Sequence, residues 1–84
     1  MAISAIEIDP RVQTVAVSDD RLEVGLRDGR TISAPLSWFP RLAAAKAKDR
    51  QVWEPSAAGL GIHWPLVDED LSVEGLLRSG EGNV

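Results

Sequence analysis

The first third of the chain alternates apolar and polar residues as the strands of a half-buried sheet do. Residues 12–17 are rich in β-branched side chains and end in a polar turn cluster. Residues 21–27 alternate strictly between apolar and charged or glycine positions. Asp28-Gly29 then gives a strong hairpin signal, and residues 30–33 resume the pattern. We therefore predict a three-stranded antiparallel meander over residues 11–34.

Prolines and helical spacing mark the middle of the chain. Pro35 ends the sheet, because proline has no N–H to donate to a neighbouring strand. Ser37 is a candidate helix N-cap, and Pro40 suits the first helical turn, where a missing N–H costs least. The residues that follow are mainly alanine and lysine. The pattern predicts one continuous helix that ends near Arg50.

The C-terminal part alternates short strands with one helix. Strands are expected at residues 52–54 and 62–64, with His63 on the face opposite Ile62 and Trp64. A final helix is expected from Ser72 to about Leu77, capped by Ser72 or Asp70.

The resulting order, β-β-β-α-β-β-α, predicts an α+β fold with one small antiparallel sheet and helices on one side. We expect a single domain over residues 1–78 and a flexible tail over residues 79–84. Residues 2–8 also alternate, so they are a candidate additional strand.

Composition excludes several kinds of chemistry. The 84 residues contain no cysteine and one histidine, which excludes thiolate nucleophiles, disulfides and a histidine-rich metal site. We therefore expect no cofactor and no metal. No apolar run approaches the roughly 18 residues that cross a bilayer, and residues 1–10 lack the basic start and apolar core of a signal peptide. These features predict a cytoplasmic protein that contacts no membrane.

Charge is distributed unevenly along the chain. The net charge is −4, which argues against direct nucleic-acid binding, since phosphate contacts need clustered Lys and Arg. Four basic residues fall between positions 41 and 50, whereas five acidic residues fall between positions 68 and 81. This asymmetry is typical of two solvated faces, and it also fits an acidic surface that meets a basic partner.

His63 and the acidic residues 68–70 are the candidates for chemistry. Histidine is the side chain that titrates near neutrality, so His63 paired with Asp68 or Asp70 could act as a base. No serine lies in a nucleophile motif, so we prefer a half-exposed histidine hydrogen-bonded to its neighbours, and we assign no catalytic residue. The three acids lack the spacing of an EF-hand loop. We expect them to favour the positive N-terminus of the last helix.

The tryptophans and Arg41 are the candidates for binding. Three tryptophans accompany one phenylalanine and no tyrosine, and an exposed tryptophan often marks an interface. We expect at least two of them to lie mostly in the core and Trp38 to be partly exposed. Arg41 is misplaced for a first helical turn, so we expect an acid from residues 68–70 to hold it. The candidate partner-binding residues are Trp38, Arg41, His63, Asp68, Glu69 and Asp70.

Several blocks of the sequence resemble a known family. They are PLSWFPRL at 35–42, WE at 53–54, GIHWP at 61–65 and DEDLSVEGLL at 68–77, and DGR at 28–30 also fits. In this order they are similar to a bacterial domain-of-unknown-function family, number 2442. The resemblance implies a small sheet-plus-helix domain with no established enzymatic activity. It also implies a gene that often lies beside a second small gene, as in toxin–antitoxin pairs. No catalytic residue carries over.

Three functions remain as alternatives. The leading hypothesis is a non-enzymatic protein-binding module, the antitoxin-like member of a two-protein pair. The second is a small acidic phage or mobile-element inhibitor whose carboxylates stand where phosphates would bind in a nucleic-acid-binding protein. The third is a small hydrolase that uses His63. A homodimer through an open sheet edge is compatible with each of them.

Overall fold

The computed structural model describes residues 7–79, which fold as two small antiparallel sheets with short helices between and after them. The strands are β1 (Val12–Val17), β2 (Arg21–Leu26), β3 (Thr31–Pro35), β4 (Glu54–Ser56), β5 (Gly61–Trp64) and β6 (Glu69–Ser72). The helices are α1 (Pro40–Ala44), α2 (Ala47–Arg50) and α3 (Val73–Ser79), and two 3₁₀ turns cover Leu36–Trp38 and Ala57–Gly59. The predicted α+β class is confirmed.

The first sheet is the predicted meander. Its strand order is β1-β2-β3, with Val24 opposite Val15 on one side and opposite Ile32 on the other. Leu26 N–H donates to Arg30 O, and Gly29 N–H donates to Leu26 O. The hairpin loop is therefore the three residues 27–29, and Gly29 occupies its left-handed position with φ of 98°. Alternation and turn chemistry together fixed this half of the fold.

The second sheet differs from the predicted single sheet. Residues 69–72, which we expected to lead into a helix, form β6 and pair with β5 to give the order β4-β5-β6. The reversal occurs because the N–H groups of Val67 and Asp68 both donate to Trp64 O, and Asp68 adopts a left-handed φ of 59°. The pairing then sets Leu71 opposite the buried Ile62. This apolar contact outweighs the preference of the acidic segment for a helix start.

The predicted continuous helix over residues 37–50 is also wrong. Ala45 has an extended backbone (φ −78°, ψ 158°), which separates α1 from α2. Ser37 lies in the 3₁₀ turn, and the N-cap position of α1 is Phe39, with Pro40 in the first helical position as expected.

The interruption brings the Arg50 guanidinium back to the end of α1. Its Nε donates to Leu42 O and its Nη2 donates to Ala43 O, both at 2.8 Å. Both carbonyls belong to the last turn of α1, where few intrahelical donors remain, and Leu42 O also accepts from Ala45 N–H.

Both sheets contribute to one core. Its fully buried members include Leu22, Leu26, Ile32, Leu42, Ile62 and Trp64. Trp64 also donates from Nε1 to Arg50 O at 3.0 Å, so the largest core side chain is tied to the same arginine that holds α1. His63 points to the other face of β5, as the alternation predicts.

The remaining boundaries shift by a few residues. The strand expected at residues 52–54 begins at Glu54 and continues to Ser56. Helix α3 runs from Val73 to Ser79, and Ser72 caps it as expected, since Ser72 Oγ accepts from Gly75 N–H at 3.0 Å. Residues 7–8 belong to no strand. The rest of the candidate strand at residues 2–8 and most of the tail predicted at residues 79–84 lie outside the described residues.

Candidate functional site

Arg41 connects α1 to the turn between β5 and β6. Its Nη1 donates to Asp68 O at 2.7 Å and lies 3.4 Å from Asp68 Oδ2. The expectation that an acid from residues 68–70 holds Arg41 is confirmed. The backbone carbonyl is the shorter contact, and Asp68 is 90% exposed, so the carboxylate is free to bind elsewhere while Arg41 stays oriented.

Exposed apolar side chains lie in two segments next to this contact, the 3₁₀ turn before α1 and the turn between β5 and β6. Trp38 is 46% exposed, as predicted, and its 3₁₀ turn packs directly against α1. Leu66, in the turn that Arg41 contacts, is 60% exposed. A shallow depression of about 430 Å³ lies between α1–α2 and this turn, lined by Arg41, Lys46, Asp49, Leu66, Val67 and two alanines. We call Trp38, Arg41, Leu66, Val67 and Asp68 the α1 surface.

The other two tryptophans belong to the interior. Trp64 is fully buried, and Trp53 is partly buried and packs against the core. The expectation of two mostly internal tryptophans therefore holds fully for Trp64 and in part for Trp53. Trp38 is the tryptophan that a partner could contact.

A row of ionisable side chains crosses the outer face of the second sheet. Glu54 on β4, His63 on β5 and Asp70 on β6 stand opposite one another in register, so their side chains share a face. His63 Nδ1 lies 2.9 Å from Asp70 Oδ1. The next row contains Ser56, Gly61 and Ser72. Within residues 7–79 the hydrogen bonds place no serine hydroxyl on the imidazole, and Ser72 is engaged in capping α3.

The three acidic residues therefore have separate contacts. Asp68 meets Arg41, Asp70 meets His63, and Glu69 accepts from the backbone N–H of Asp70 at 3.2 Å. The expectation that they favour the N-terminus of the last helix is wrong, because Glu69 and Asp70 are part of β6 and Asp68 lies in the turn before it. Six residues were expected to bind a partner. The structure joins them as the pairs Arg41–Asp68 and His63–Asp70, with Trp38 packed beside α1 and Glu69 between the two acids.

A second electrostatic cluster, which was not predicted, holds residues 9–11 to the first hairpin. Asp9 N–H donates to Asp28 Oδ2, and Asp28 N–H donates back to Asp9 O. Each aspartate also pairs with the arginine two positions on, Asp9 with Arg11 and Asp28 with Arg30. The two Asp-x-Arg triplets are the signal that could have indicated it.

These arginines lower the pKa of both carboxyl groups. The hydrogen bond from the Arg11 side chain is the largest cause that lowers the pKa of Asp9, from 3.8 to about 2. The Arg30 side chain likewise lowers the pKa of Asp28, against the opposing effect of burial. The cluster is therefore held by ionised aspartates, and it anchors residues 9–11 rather than forming a chemical site.

An apolar groove of about 490 Å³ was also not predicted. It is lined by Pro10, Ala57, Leu60, Val73 and Leu77, together with the polar residues Ser72 and Glu74. One wall is the turn Ala57–Gly59, in which both alanines have left-handed φ angles of 51° and 58°. That conformation costs roughly 1–2 kcal/mol per non-glycine residue. In the sequence this segment resembles an ordinary connection of small residues.

Two structural findings bear on other kinds of site. In the described part of the chain, no three His, Cys, Asp or Glu side chains come together in a way that could hold a metal ion. Among the helices of residues 7–79, none combines the length and apolar character needed to span a bilayer.

The fold and its surfaces define a small two-sheet α+β domain, and comparison with known proteins identifies its family. The family model described as "Protein of unknown function (DUF2442)" matches residues 12–82. The chain belongs to this family, which confirms the resemblance of its sequence blocks.

The fold is similar to a crystal structure of a protein of unknown function from Rhodospirillum rubrum ATCC 11170. The TM-score is 0.69 and the sequence identity 29%, over 87% of this chain and 90% of that chain. A comparison with curated proteins found no match.

Proposed function

We propose that the chain is a non-enzymatic protein-binding module that uses the α1 surface. The observation that carries the proposal is the exposed Trp38, three residues before an Arg41 whose guanidinium is already held in place by Asp68 O at 2.7 Å. Tryptophan and arginine are the residue types most enriched at binding hot spots. The partner in this proposal is a second small protein, with this chain as the antitoxin-like member of the pair, as the resemblance of the sequence blocks implies.

Pre-organisation of Arg41 supports this role. A free arginine side chain loses roughly 0.5–1.5 kcal/mol of conformational freedom when a partner immobilises it. Here the contact with Asp68 fixes one end of the guanidinium before any partner arrives. Its remaining N–H donors stay available, and the exposed Leu66 and the partly buried Val67 supply apolar area in the same depression. The arrangement therefore combines an apolar anchor with an oriented cation.

A second candidate function rests on the exposed carboxylates of the second sheet and of the turn between β5 and β6. Asp68 is 90% exposed and Asp70 is 69% exposed, and Glu54 shares a face with Asp70. Carboxylates in such a row could replace phosphates in the groove of a nucleic-acid-binding protein, as an acidic inhibitor would. Binding of this kind weakens steeply with salt, whereas binding through Trp38 and Leu66 does not.

Affinity purification of the tagged chain from its own host tests the proposal. The variants Trp38→Ala and Arg41→Ala are compared with Val52→Ala and Arg27→Ala. Val52 is 45% exposed, nearly the same as Trp38, and Arg27 is an exposed arginine in the hairpin loop of the first sheet. A urea unfolding curve for each variant establishes that it is folded.

We expect one stoichiometric protein partner that the wild type and both controls retain and that both α1-surface variants lose. Retention of the partner by Trp38→Ala and Arg41→Ala would overturn the assignment to this surface. The acidic inhibitor predicts a different result. Asp70→Asn would then lose the partner, its control Glu23→Gln on the first sheet would retain it, and the complex would dissociate at high salt. Absence of any partner from all samples would refute both.

A further inference from the structure

We propose that strand β1 is a homodimer interface, at which two copies of the chain pair antiparallel about a two-fold axis through Val15. This surface is distinct from the α1 surface. Pairing of this kind would join the two three-stranded meanders into one continuous six-stranded sheet.

The described residues contain four edge strands, and three of them carry features that block pairing. β3 ends in Pro35, and α3 packs against it. β4 has three residues, one of which is Pro55. β6 has four residues, includes Glu69 and Asp70, and runs directly into α3. Proline, charge and short length are the usual means by which proteins protect an edge from association.

β1 has none of these features. Its six residues, Val-Gln-Thr-Val-Ala-Val, include no charged side chain and no proline. A register shift disturbs its pairing between Val12 and Thr14, but residues 14–17 pair regularly with β2. An uncharged, β-branched strand of this length at a sheet edge is an association site.

The hydrogen-bond pattern shows which backbone groups of β1 face outward. Ser18 N–H donates to Arg21 O, so these two residues form a hydrogen-bonded pair across the first hairpin. Hydrogen-bonded and non-hydrogen-bonded pairs alternate along an antiparallel ladder. Val17 opposite Leu22 and Val15 opposite Val24 are therefore non-hydrogen-bonded pairs. The backbone N–H and C=O of Val15 and Val17 point away from β2.

Gln51 confirms this direction and sets the register of a dimer. Its side-chain Nε2 donates to Val17 O at 3.2 Å, from outside the sheet. Within residues 7–79 the hydrogen bonds give the N–H and C=O of Val15 no such partner. A second β1 strand, antiparallel and centred on Val15, supplies a partner for each of these two groups. Val15 N–H donates to Val15 O of the other copy, and the reverse bond forms by symmetry.

The side chains of β1 suit a second copy as the occupant, and the strand itself adds no charge to the interface. Val15 packs partly buried against the core at the rim of the sheet, so the two-fold sets two valines side by side and extends the apolar face. On the other face, exposed Thr14 stands opposite exposed Ala16 of the second copy. Each chain carries a net charge of −4, and β1 is an edge at which two copies meet without opposing carboxylates.

Oligomeric state measured by light scattering after size-exclusion chromatography tests the proposal. Ala16→Glu sets two new carboxylates diagonally across the two-fold, about 7–8 Å apart. Val15→Pro removes the N–H that forms both central hydrogen bonds and leaves the β2 ladder intact, because that N–H faces outward. Thr31→Glu is the matched control, an exposed position on β3, the opposite edge of the same sheet.

We expect the wild type and Thr31→Glu to have twice the 9.1 kDa mass of one chain, and both β1 variants to have the mass of one chain. Amide exchange gives an independent readout, since Val15 N–H is protected in the dimer and exposed in the monomer. A monomeric wild type with rapid exchange at Val15 would overturn the proposal, as would a dimer that persists in Ala16→Glu. These measurements use the purified chain alone, so their outcome is independent of partner capture through the α1 surface.

Discussion

Replacement of Arg50 tests the explanation given for the broken helix. Arg50 is buried, and its guanidinium donates to Leu42 O and Ala43 O, both at 2.8 Å. Its third contact, with Asp19 Oδ1 at 3.5 Å, is long, and that carboxylate is fully exposed. The two carbonyl contacts therefore carry the stabilisation. Arg50→Ala removes both of them, whereas Arg50→Lys keeps the charge but can reach only one carbonyl.

The expected magnitude follows from these contacts. A hydrogen bond with an ionised donor contributes roughly 1.5–3 kcal/mol, and removal of a buried charge returns part of its desolvation cost. We expect Arg50→Ala to lower the free energy of unfolding by about 3 kcal/mol and Arg50→Lys by about half of that. A domain of this length has a total stability of roughly 4–12 kcal/mol. The alanine variant therefore loses a large fraction of it, and its Tm falls by about 12–24 °C.

Urea unfolding followed by tryptophan fluorescence measures the loss. Trp64 is a direct reporter, because its indole donates to Arg50 O in the core. Lys48→Ala is the control, an exposed cation on the same short helix, and is expected to change stability by less than about 0.5 kcal/mol. A loss of less than about 1 kcal/mol in Arg50→Ala, or equal destabilisation of the lysine and alanine variants, would show that the two carbonyl contacts do not hold α1.

Three further predictions concern the core, the strained turn and the acid limit of stability. Trp64→Phe keeps most of the apolar volume but leaves Arg50 O without its donor, so urea unfolding should show a loss of about 1–3 kcal/mol; no loss would show that this hydrogen bond is not needed. Ala58→Gly should stabilise the chain by up to about 1 kcal/mol, because glycine adopts a left-handed φ without strain, whereas the helical control Ala44→Gly should destabilise it. The pKa values of Asp9 and Asp28 are lowered in the folded chain by their arginines. The ionised carboxylates therefore stabilise the folded state fully above the unfolded pKa of roughly 4, and this stabilisation is lost as the pH falls towards about 2. The urea midpoint should therefore drop between these pH values, and the double variant Asp9→Asn, Asp28→Asn should flatten that drop; an unchanged drop would exclude the two groups as its cause.

The meander could be predicted from the sequence because its signals are local. Alternation from residue 21 to 27 and the Asp28-Gly29 turn specify the pairing of neighbouring strands without help from the rest of the chain. The partial exposure of Trp38 and the attachment of Arg41 to residues 68–70 were also predictable. Trp38 was expected at the surface because it precedes a predicted helix start. Arg41 was expected to need an acidic partner because a cation is unfavourable in the first turn of a helix.

The second sheet could not be predicted because non-local contacts override local preference there. Residues 69–72 contain two acids and precede a helix, which favours a helix start. They pair instead with β5, because that register covers Ile62 with Leu71. The break at Ala45 has a similar origin, since alanine has no local reason to leave a helix and the gain comes from Arg50, five residues later. Contacts between distant residues decide both cases, and the periodicity of the sequence does not reveal such contacts.

The α1 surface is the central claim, and the affinity of purified chain for the captured partner tests it most directly. Isothermal titration should show that Trp38→Ala weakens binding by about 30-fold, as expected for a hot spot of about 2 kcal/mol. The equally exposed control Val52→Ala should bind within about threefold of the wild type. Equal affinities for the two variants would contradict the account and move the interface away from Trp38.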